Sequence, residues 1–489
     1  MRERSIVTII EKKGANYPKD KMFWCPDQEY IELIGIYDHY IDNNDVFAML
    51  RELFFEMGMD KDNYGKESWN PLGDKLIEEG QSILIKPNMV IEQNKGNGGV
   101  ECLYTNPSLV AALIPYVWKA LGGKGKIVVA DAPIQSCEFE TLCESAGYYD
   151  MIDYFKNKGV AIELYDLRGV KSFVDSGLLS QSFVGHDNFI VDLGNQSAHA
   201  ELPDEIIERE RITCYDPNEL RQHHNAEKHE YCVAKEVLEA DVIINLPKPK
   251  SHRYAGVTIC MKNFVGINVH KEFLPHHRVG DMSKGGDEYP KASKILEISS
   301  KFMDKRNEKM NSGKLTRARI DFLISKILEH GYKKINPDKG HTYGSWYGND
   351  TIWRTVVDLN RIVMFADKSG VMKNEQQRKV LNIADMIVAG DGEGPLTPDP
   401  VYMGMLVAGE NVVDTDVVIA TLMGFDVEKI PLYRGLDLGK YESYRLEYGK
   451  GVVLTSNEEK YMVTSIKDLR GKSGFHCKPT VGWIGHIEL

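Results

Sequence analysis

The stretch Asp241–His277, DVIINLPKPKSHRYAGVTICMKNFVGINVHKEFLPHH, decides the fold predicted for this chain. It opens with the apolar run Val242–Leu246, which is typical of a strand buried on both faces of a parallel sheet and ends at Pro247. Ligands of open α/β sheets bind beyond the carboxyl ends of the strands, so the basic segment that follows is a candidate site, with a solvated basic loop as the alternative. Its lysines and histidines are Lys248, Lys250, His252, Lys262, Lys271, His270, His276 and His277.

The same pattern of a buried strand followed by polar side chains occurs upstream of this stretch. Ile83–Ile85 predicts a short strand with Lys86 and Asn88 at its end, and Ile127–Ala130 predicts the next strand, with Asp131 at its end. A helix is predicted between the two, which makes a βαβ unit. These polar residues are therefore expected at the same edge of the sheet as the lysines and histidines of the first stretch.

Repetition of this pattern predicts an α/β fold with a mostly parallel sheet built from βαβ units and a helical insertion. Two charged amphipathic segments, 292–305 and 315–331, indicate that the insertion is helical and exposed. The predicted domains are an N-terminal leader region at 1–80, a first part of the α/β core at 81–285, the helical insertion at 286–340, a second part of the core at 341–440 and a C-terminal extension at 441–489.

The charge of the chain argues against two classes of partner. The 489 residues carry a formal net charge of -12, with a pI near 5.7. A general nucleic-acid or membrane-surface binder would show a basic field, so neither nucleic acid nor a membrane is an expected partner. No apolar run approaches the ~20 residues that span a bilayer. A local basic pocket remains compatible with this charge, and a small anionic substrate is expected.

The eight cysteines are scattered, and no pair has CxxC spacing. Zinc-ribbon, thioredoxin-type and ferredoxin-type motifs are therefore absent, and no iron–sulfur cluster is predicted. Scattered cysteines in a large chain are typical of a reduced cytosolic protein. The first residues, MRERSIVTIIEKK, lack the apolar core of a secretory signal. The expected location is the cytoplasm.

The favoured function is that of an enzyme acting on an anionic small molecule. His252 has the side chain best suited to proton transfer near neutral pH, and Lys262, between two apolar runs, is the candidate nucleophile or base. Lys86, Lys248 and Lys250 would bind carboxylate or phosphate as point charges. The predicted substrate-binding residues are Lys86, Asn88, Asp131, Lys248, Lys250 and Asn263.

Two other functions stay open. His276 and His277, with Asp391 and Glu393 from the run Gly390–Pro395, are predicted as metal ligands of a metal-dependent hydrolase or transferase, although that run is equally typical of a turn. The sequence identifies no cofactor, and a divalent transition metal is the candidate. The third function is a non-enzymatic anion- or partner-binding protein, in which residues 292–331 dock a protein.

Seven motifs follow one another along the chain: KPN at Lys86–Asn88, TNP at Thr105–Pro107, Asp131 at a strand end, INLPKPKSH at Ile244–His252, MKNFVG at Met261–Gly266, GDGEGP at Gly390–Pro395 and VVDTDVVIATLMGFD at Val412–Asp426. In this order they resemble the domain of unknown function 362 family. Members of that family often carry ferredoxin-type clusters, whose cysteines this sequence lacks, and the family label implies no reaction.

A local pattern consists of His252, Lys262 ten residues later and a histidine about fifteen residues beyond that. This pattern resembles the lactate racemase family. The resemblance implies that Lys262 holds a pyridinium nickel-pincer cofactor, that His252 is an acid/base and that His277 or His276 is a metal ligand. It also implies racemase- or epimerase-like proton or hydride transfer at a hydroxyl-bearing carbon. The glycine-rich run that precedes the lysine in that family is Thr258–Met261 here.

Overall fold

A ten-stranded, mostly parallel sheet organises the computed structural model of this chain, which describes residues 4–73, 75–175, 178–213, 215–336, 341–438, 443–446, 448–449 and 451–489. Its main path runs β16-β1-β15-β14-β10-β2-β3-β4, and β11 and β12 are attached beside β14. The strands of this sheet are β1 Ser5–Glu11, β2 Ser82–Pro87, β3 Lys126–Asp131, β4 Ile162–Asp166, β10 Val242–Leu246, β11 Lys250–His252, β12 Gly256–Thr258, β14 Lys379–Glu393, β15 Thr397–Gly409 and β16 Val452–Ser456.

The centre of the sheet is parallel, as the sequence predicts. Strand β10 is fully buried and pairs in parallel with β2 on one side and β14 on the other, and β2 pairs in parallel with β3. In this register Asn245 lies beside both Lys86 and Asn382. The carboxyl ends of the three predicted strands therefore meet at one edge, which confirms the α/β fold.

Smaller pairings and the helices complete the fold. The two-stranded pairings use β5 Val170–Asp175 with β6 Leu178–Phe183, β7 Asn188–Asp192 with β9 Glu230–Ala234, and β8 Glu210–Arg211 with β13 His277–Arg278. The helices are α1 Asp45–Glu56, α2 Pro107–Ala120, α3 Phe139–Ser145, α4 Tyr148–Asn157, α5 Asp204–Ile207, α6 Pro217–His223, α7 Lys235–Glu239, α8 Cys260–Asn263, α9 Lys294–Asn311, α10 Leu315–Ile335, α11 Ile352–Phe365, α12 Val412–Leu422, α13 Pro431–Leu438 and α14 Ile466–Leu469.

Helix α2 shows how local sequence sets these boundaries. The Asn106 side chain accepts a hydrogen bond from the Ser108 amide, and Pro107 occupies the first helical position, where its missing amide proton costs nothing. The Thr105 hydroxyl donates to the Leu246 carbonyl at 2.6 Å and accepts from the Asn88 amide at 2.9 Å. The TNP motif thus starts a helix and also joins the ends of β2 and β10.

Both chain ends contribute strands to the sheet. Strand β1 lies between β15 and β16, antiparallel to the first and parallel to the second. The sheet therefore includes residues from the predicted N-terminal leader and from the predicted C-terminal extension. A local sequence pattern does not give the partners of β1, because these lie almost the full length of the chain away.

The run Gly390–Pro395, for which the sequence left a metal-binding loop and a turn open, lies at the turn of a hairpin. Strand β14 continues to Glu393 and pairs antiparallel with β15, so the run forms the end of a long hairpin. Gly392 has φ +69°, a conformation that favours glycine. The hairpin also requires glycine at position 394, because a Cβ there would overlap the Ser251 carbonyl.

Helices α9 and α10 form an antiparallel hairpin inside the predicted insertion. The Ser299 and Ser325 hydroxyls are 2.8 Å apart across the two helices. The hairpin is tied to the rest of the chain by Ser300, which donates to Glu288, and by the ion pair of Asp304 with Arg211 at 3.2 Å. Among the described residues, none of the helices is long and apolar enough to cross a bilayer.

Candidate active site

A cleft with a volume of about 300 Å³ opens at the carboxyl ends of β2, β3 and β10. It lies beside the segment that follows β10, where the sequence predicts the site. Helix α8 and the turn after it form one wall, and the segments after β2 and β3 form the other. The polar side chains that line it are Asn88, Asp131, Gln135, Tyr215, His252, Arg253, Tyr254, Thr258, Lys262, Asn263, Lys271 and His276.

Asp131 is held in the cleft wall by a buried ion pair with Lys86. The Lys86 Nζ lies 2.6 Å from Asp131 Oδ1, and the Met89 amide donates to Asp131 Oδ2 at 2.6 Å. Burial raises the pKa of Asp131 and lowers that of Lys86, and the attraction between them opposes both shifts. A Cβ at Gly266 would overlap Asp131 Oδ1, so only glycine fits against the pair. Lys86 therefore neutralises Asp131 and is not free to bind a ligand.

A chain of asparagine side chains fixes the amides of the cleft. The Lys250 ammonium donates to Asn88 Oδ1 at 2.6 Å, and Asn88 Nδ2 donates to Asn263 Oδ1 at 3.0 Å. Asn263 Nδ2 donates to Asn245 Oδ1 at 2.7 Å, and Asn245 Nδ2 donates to Asn382 Oδ1 at 2.9 Å. Because every amide donates in the same direction, away from the cation, the orientation of each amide is set. Lys250 thus positions Asn88 and Asn263 and does not itself line the cleft.

Lys248 has a structural partner that its sequence surroundings do not reveal. Its Nζ lies 2.7 Å from Asp385 Oδ2 and 2.7 Å from the Tyr17 hydroxyl, and the Tyr17 hydroxyl donates to Asp385 Oδ1 at 2.5 Å. All three side chains are buried, and burial lowers the pKa of Lys248. This lysine therefore joins β14 to the segment after β10 and is not a ligand-binding group, contrary to the sequence prediction.

Two histidines of the cleft are held in opposite tautomers. His252 Nδ1 accepts from the Tyr254 amide at 3.1 Å and from the Ala255 amide at 3.3 Å, so its neutral ring carries the proton on Nε2. His276 Nδ1 lies 2.6 Å from the Leu274 carbonyl, so it carries the proton there and leaves Nε2 as a lone pair. The Tyr254 ring lies between them, 5.8 Å from each. The cleft therefore has one imidazole donor and one imidazole acceptor.

Burial keeps both imidazoles neutral. The pKa of His252 lies well below its ordinary value, first because of burial and then because of the Lys262 charge. The pKa of His276 falls to about 4, again mainly through burial, although its hydrogen bond to the Leu274 carbonyl opposes the shift. At neutral pH the two rings thus keep the donor and acceptor roles that their backbone hydrogen bonds assign.

Two lysines give the cleft a positive charge. Lys271 Nζ donates to the Ala132 carbonyl at 3.2 Å, and burial lowers its pKa to about 8. Lys262 is half-buried, burial and the Lys271 charge lower its pKa to about 7, and within the described residues no hydrogen bond or ion pair holds its Nζ. Since Asp131 is already neutralised by Lys86, the cleft is cationic in a chain whose net charge is -12.

Comparison with known proteins identifies the family. The model of the family described as Domain of unknown function (DUF362) matches residues 83–192 and 195–421, well over half of the chain. The chain belongs to the DUF362 family. The matched residues include the described ends of β2, β3 and β10 and therefore the cleft, which agrees with the resemblance seen in the seven motifs.

The individual relatives of this DUF362 member are distant. The chain is 26% identical over 198 residues to the thylakoid-associated protein sll1697 of Synechocystis sp., which covers 40% of this chain and 42% of that protein. A crystal structure of a protein from Thermotoga maritima matches with 10% identity and a TM-score of 0.28, over 75% of this chain and 56% of that one. The chain thus spans less than two thirds of the length of each.

The predicted metal ligands of this DUF362 member are not brought together. His276 lines the cleft, whereas His277 borders a separate small cavity with Glu288 and Tyr343, and its Nδ1 is buried without a hydrogen-bond partner in the described residues. The carboxylates face the C-terminal segment: Asp391 accepts from the Lys478 amide and Glu393 from the Val481 amide. Among described residues, no group of three or more metal-ligating side chains is arranged to hold an ion.

Of the other predicted residues, the cleft contains His252, Lys262, Asn88, Asp131 and Asn263, whereas the three lysines expected to bind anions lie behind its walls. The sequence analysis assigned no role to Lys271, which lines the cleft and gives it positive charge. A usable signal was present, because it follows His270 in the same basic segment. No sequence pattern indicates the opposite tautomers of His252 and His276, because hydrogen bonds to backbone groups set them.

Proposed function

We propose that this chain is an enzyme that moves a proton at a hydroxyl-bearing carbon of an anionic small molecule, in the manner of a racemase or epimerase. The observation that carries the proposal is the pair of neutral imidazoles, His252 with Nε2–H and His276 with a free Nε2 lone pair, in one cationic cleft. A proton transfer at carbon needs a base for the C–H proton and a donor for the neighbouring oxygen. The two rings supply these two functions.

The charge of the cleft supports an anionic substrate. Lys262, Lys271 and Arg253 line it, and its one carboxylate, Asp131, is already paired with Lys86. A bound carboxylate or phosphate would therefore meet uncompensated positive charge. The volume of about 300 Å³ limits the ligand to a small molecule.

In the proposed reaction each imidazole keeps its tautomer until the proton moves. His276 Nε2 accepts the proton from carbon, and its Nδ1–H remains bonded to the Leu274 carbonyl, which stabilises the imidazolium that forms. His252 Nε2–H donates to the substrate oxygen, where negative charge develops. The fixed amides of Asn88 and Asn263 are placed to orient polar groups of the substrate.

The resemblance to the lactate racemase family supports the reaction class but not the cofactor. Lys262, the lysine that would hold a nickel-pincer cofactor, follows Ile259, Cys260 and Met261, all fully buried in the core, and the Met261 amide donates to Asp416 at 3.1 Å. This segment contains no glycine, so it lacks the glycine-rich run that precedes the lysine in that family. The residues present do not fit the cofactor, and the proposed steps use only side chains of the chain.

Hydrogen–deuterium exchange at carbon tests the proposal. Wild-type protein is incubated in D₂O with small hydroxy acids and hydroxy-ketone phosphates, and loss of the proton on the hydroxyl-bearing carbon is followed by ¹H NMR. We expect exchange with at least one probe, and a loss of about 100-fold or more in His276→Gln, because a positioned base contributes ~10²–10⁴. His39→Gln, at an exposed histidine, is the matched control and should exchange at the wild-type rate. Exchange by His276→Gln at the wild-type rate would contradict the proposal, as would the absence of exchange with every probe.

We also propose that a protein partner binds the helical insertion. Ile320, Leu323 and Ile327 form a stripe on α10 and are 53%, 58% and 70% exposed, and the exposed Arg317 and Arg319 lie beside it. Such a stripe fits a partner with an apolar patch and acidic rim. Replacing the three apolar residues with serine should leave Tm within about 2 °C, since exposed positions contribute little to stability. A larger fall would show that the stripe packs within the fold and offers no docking face.

A cytoplasmic location is proposed on the state of the cysteines. The seven described cysteines are all free and buried, and burial raises the pKa of Cys137 and Cys260. Buried, protonated thiols suit a reducing compartment. Fractionation of cells that produce the protein with an epitope tag tests this, and recovery in the oxidising secreted fraction would contradict it.

A further inference from the structure

The Lys262 amine is the one described lysine of the cleft wall that is half-buried and held by no hydrogen bond or ion pair. Lys86, Lys248 and Lys250 each contact a carboxylate or an amide oxygen, and Lys271 donates to two backbone carbonyls. A buried lysine in this chain thus ordinarily has partners. An amine without them is free to react with a ligand in the cleft.

We propose that Lys262 forms a Schiff base with the substrate, which is therefore an anionic hydroxy-aldehyde or hydroxy-ketone. The inference rests on the proposed function and names its substrate class. A carbon that bears only a hydroxyl group next to a carboxylate is a very weak acid. Conversion of a neighbouring carbonyl to an iminium ion makes that C–H bond far more acidic, which lets a neutral imidazole remove the proton.

The chemical steps balance without an added oxidant or reductant. The Nζ lone pair attacks the carbonyl carbon and forms a C–N bond, the carbonyl oxygen leaves as water with the two amine protons, and a solvent proton gives the iminium ion. His276 Nε2 then takes the proton from the adjacent hydroxyl-bearing carbon, and the C–H electrons form the enamine. Return of the proton to carbon and addition of water release the product and restore the amine.

The positions of the surrounding groups match these steps. The amine is neutral in a large fraction of molecules near neutral pH, because burial and Lys271 lower its pKa to about 7. Lys271 stays beside it as a cation for the carboxylate or phosphate. His252 Nε2–H can donate to the substrate hydroxyl, and His276 keeps its lone pair for the carbon-bound proton. Each group thus has a separate role.

Borohydride trapping tests the inference. Purified wild-type protein is mixed with hydroxypyruvate or dihydroxyacetone phosphate, reduced with sodium borohydride and examined by intact mass and peptide mapping. We expect a mass gain of one probe molecule less one oxygen atom, located on Lys262. Lys262→Met should lose the adduct while its melting temperature shows that it is folded, and Lys124→Met, at a 70% exposed lysine, should keep it. His276→Gln should also keep it, because the adduct forms before the base acts.

The outcomes separate this inference from the proposed function. Exchange at carbon without an adduct on Lys262 would overturn the Schiff base and leave proton transfer standing. An adduct on Lys262 without exchange would support the Schiff base and contradict the proton transfer. Adducts spread over surface lysines, equal in Lys262→Met and wild type, would overturn the inference, because they would show only the general reactivity of lysine.

Discussion

Replacement of Lys262 by methionine should stabilise the protein at acidic pH and lose this effect as the pH rises. Methionine has nearly the volume of the lysine stem, so no large cavity forms. In the wild type the Lys262 pKa is about 7, because burial and the Lys271 charge disfavour the ammonium. In the unfolded chain a lysine titrates near ~10.4. Protonated Lys262 therefore destabilises the folded state relative to the unfolded chain, and the variant lacks this destabilisation.

The size and direction of the effect follow from these two values. One pKa unit corresponds to ~1.4 kcal/mol, so the full difference would be about 4–5 kcal/mol; solvent that reaches the half-buried side chain reduces it to ~2–3 kcal/mol. Below pH 7 both states are protonated and the whole cost is present. Between pH 7 and ~10.4 the unfolded chain binds a proton that the folded chain does not, so wild-type stability rises with pH.

Urea unfolding followed by tryptophan fluorescence at several pH values between 6 and 9.5 measures this difference. We expect Lys262→Met to exceed wild type by ~2–3 kcal/mol at pH 6, and the gap to shrink steadily towards pH 9.5. Lys124→Met, at a 70% exposed side chain, controls for removal of a lysine as such and should differ from wild type equally at every pH. A gap between Lys262→Met and wild type that stays constant with pH would refute the claim that the amine is desolvated and unpaired.

Three further replacements test the walls of the cleft by thermal and urea unfolding. Asp131→Asn leaves Lys86 buried without its carboxylate and should lower the free energy of unfolding by about 3–5 kcal/mol. The control Glu79→Gln, in an exposed ion pair, should lower it by less than ~1 kcal/mol, and equal losses would contradict the buried pair. Gly266→Ala would overlap Asp131 Oδ1 and should cost ~1–3 kcal/mol, and an unchanged Tm would show that the wall is looser than described. Asn263→Ala interrupts the amide chain and should cost ~1–3 kcal/mol through unsatisfied buried partners; a silent replacement would remove the chain as a positioning device.

The parts of the fold that sequence predicts well are those set by local pattern. The strands at Val242–Leu246 and Ile127–Ala130 follow from apolar runs and appear within a residue of their predicted bounds. The sequence left the run Gly390–Pro395 open between a metal-binding loop and a turn, because its glycines are typical of both, and the structure forms a hairpin there. Pairing with β15 decides between the two, and no local pattern reports it.

The candidate site shows the same division. His252 and Lys262 were found because a strand delivers them to a sheet edge, which is a local property. Lys248 was assigned to a ligand because its partner, Asp385, lies beyond the helical insertion in the sequence and only the fold brings the two within 2.7 Å. The sequence does not distinguish His276 from the adjacent His277, but the structure places only His276 in the cleft. The orientation of the His276 ring depends on its hydrogen bond to the Leu274 carbonyl.

The protonation states of His252 and His276 test the central claim most directly. Long-range ¹H–¹⁵N NMR spectra of ¹⁵N-histidine-labelled protein at pH 7 distinguish the two tautomers, and the spectra of His252→Gln and His276→Gln assign the signals. We predict that His252 is protonated on Nε2 and His276 on Nδ1, with both rings neutral, because backbone groups occupy the opposite nitrogens. A shared tautomer, or an imidazolium at either position at pH 7, would contradict the assignment of one donor and one base to the cleft.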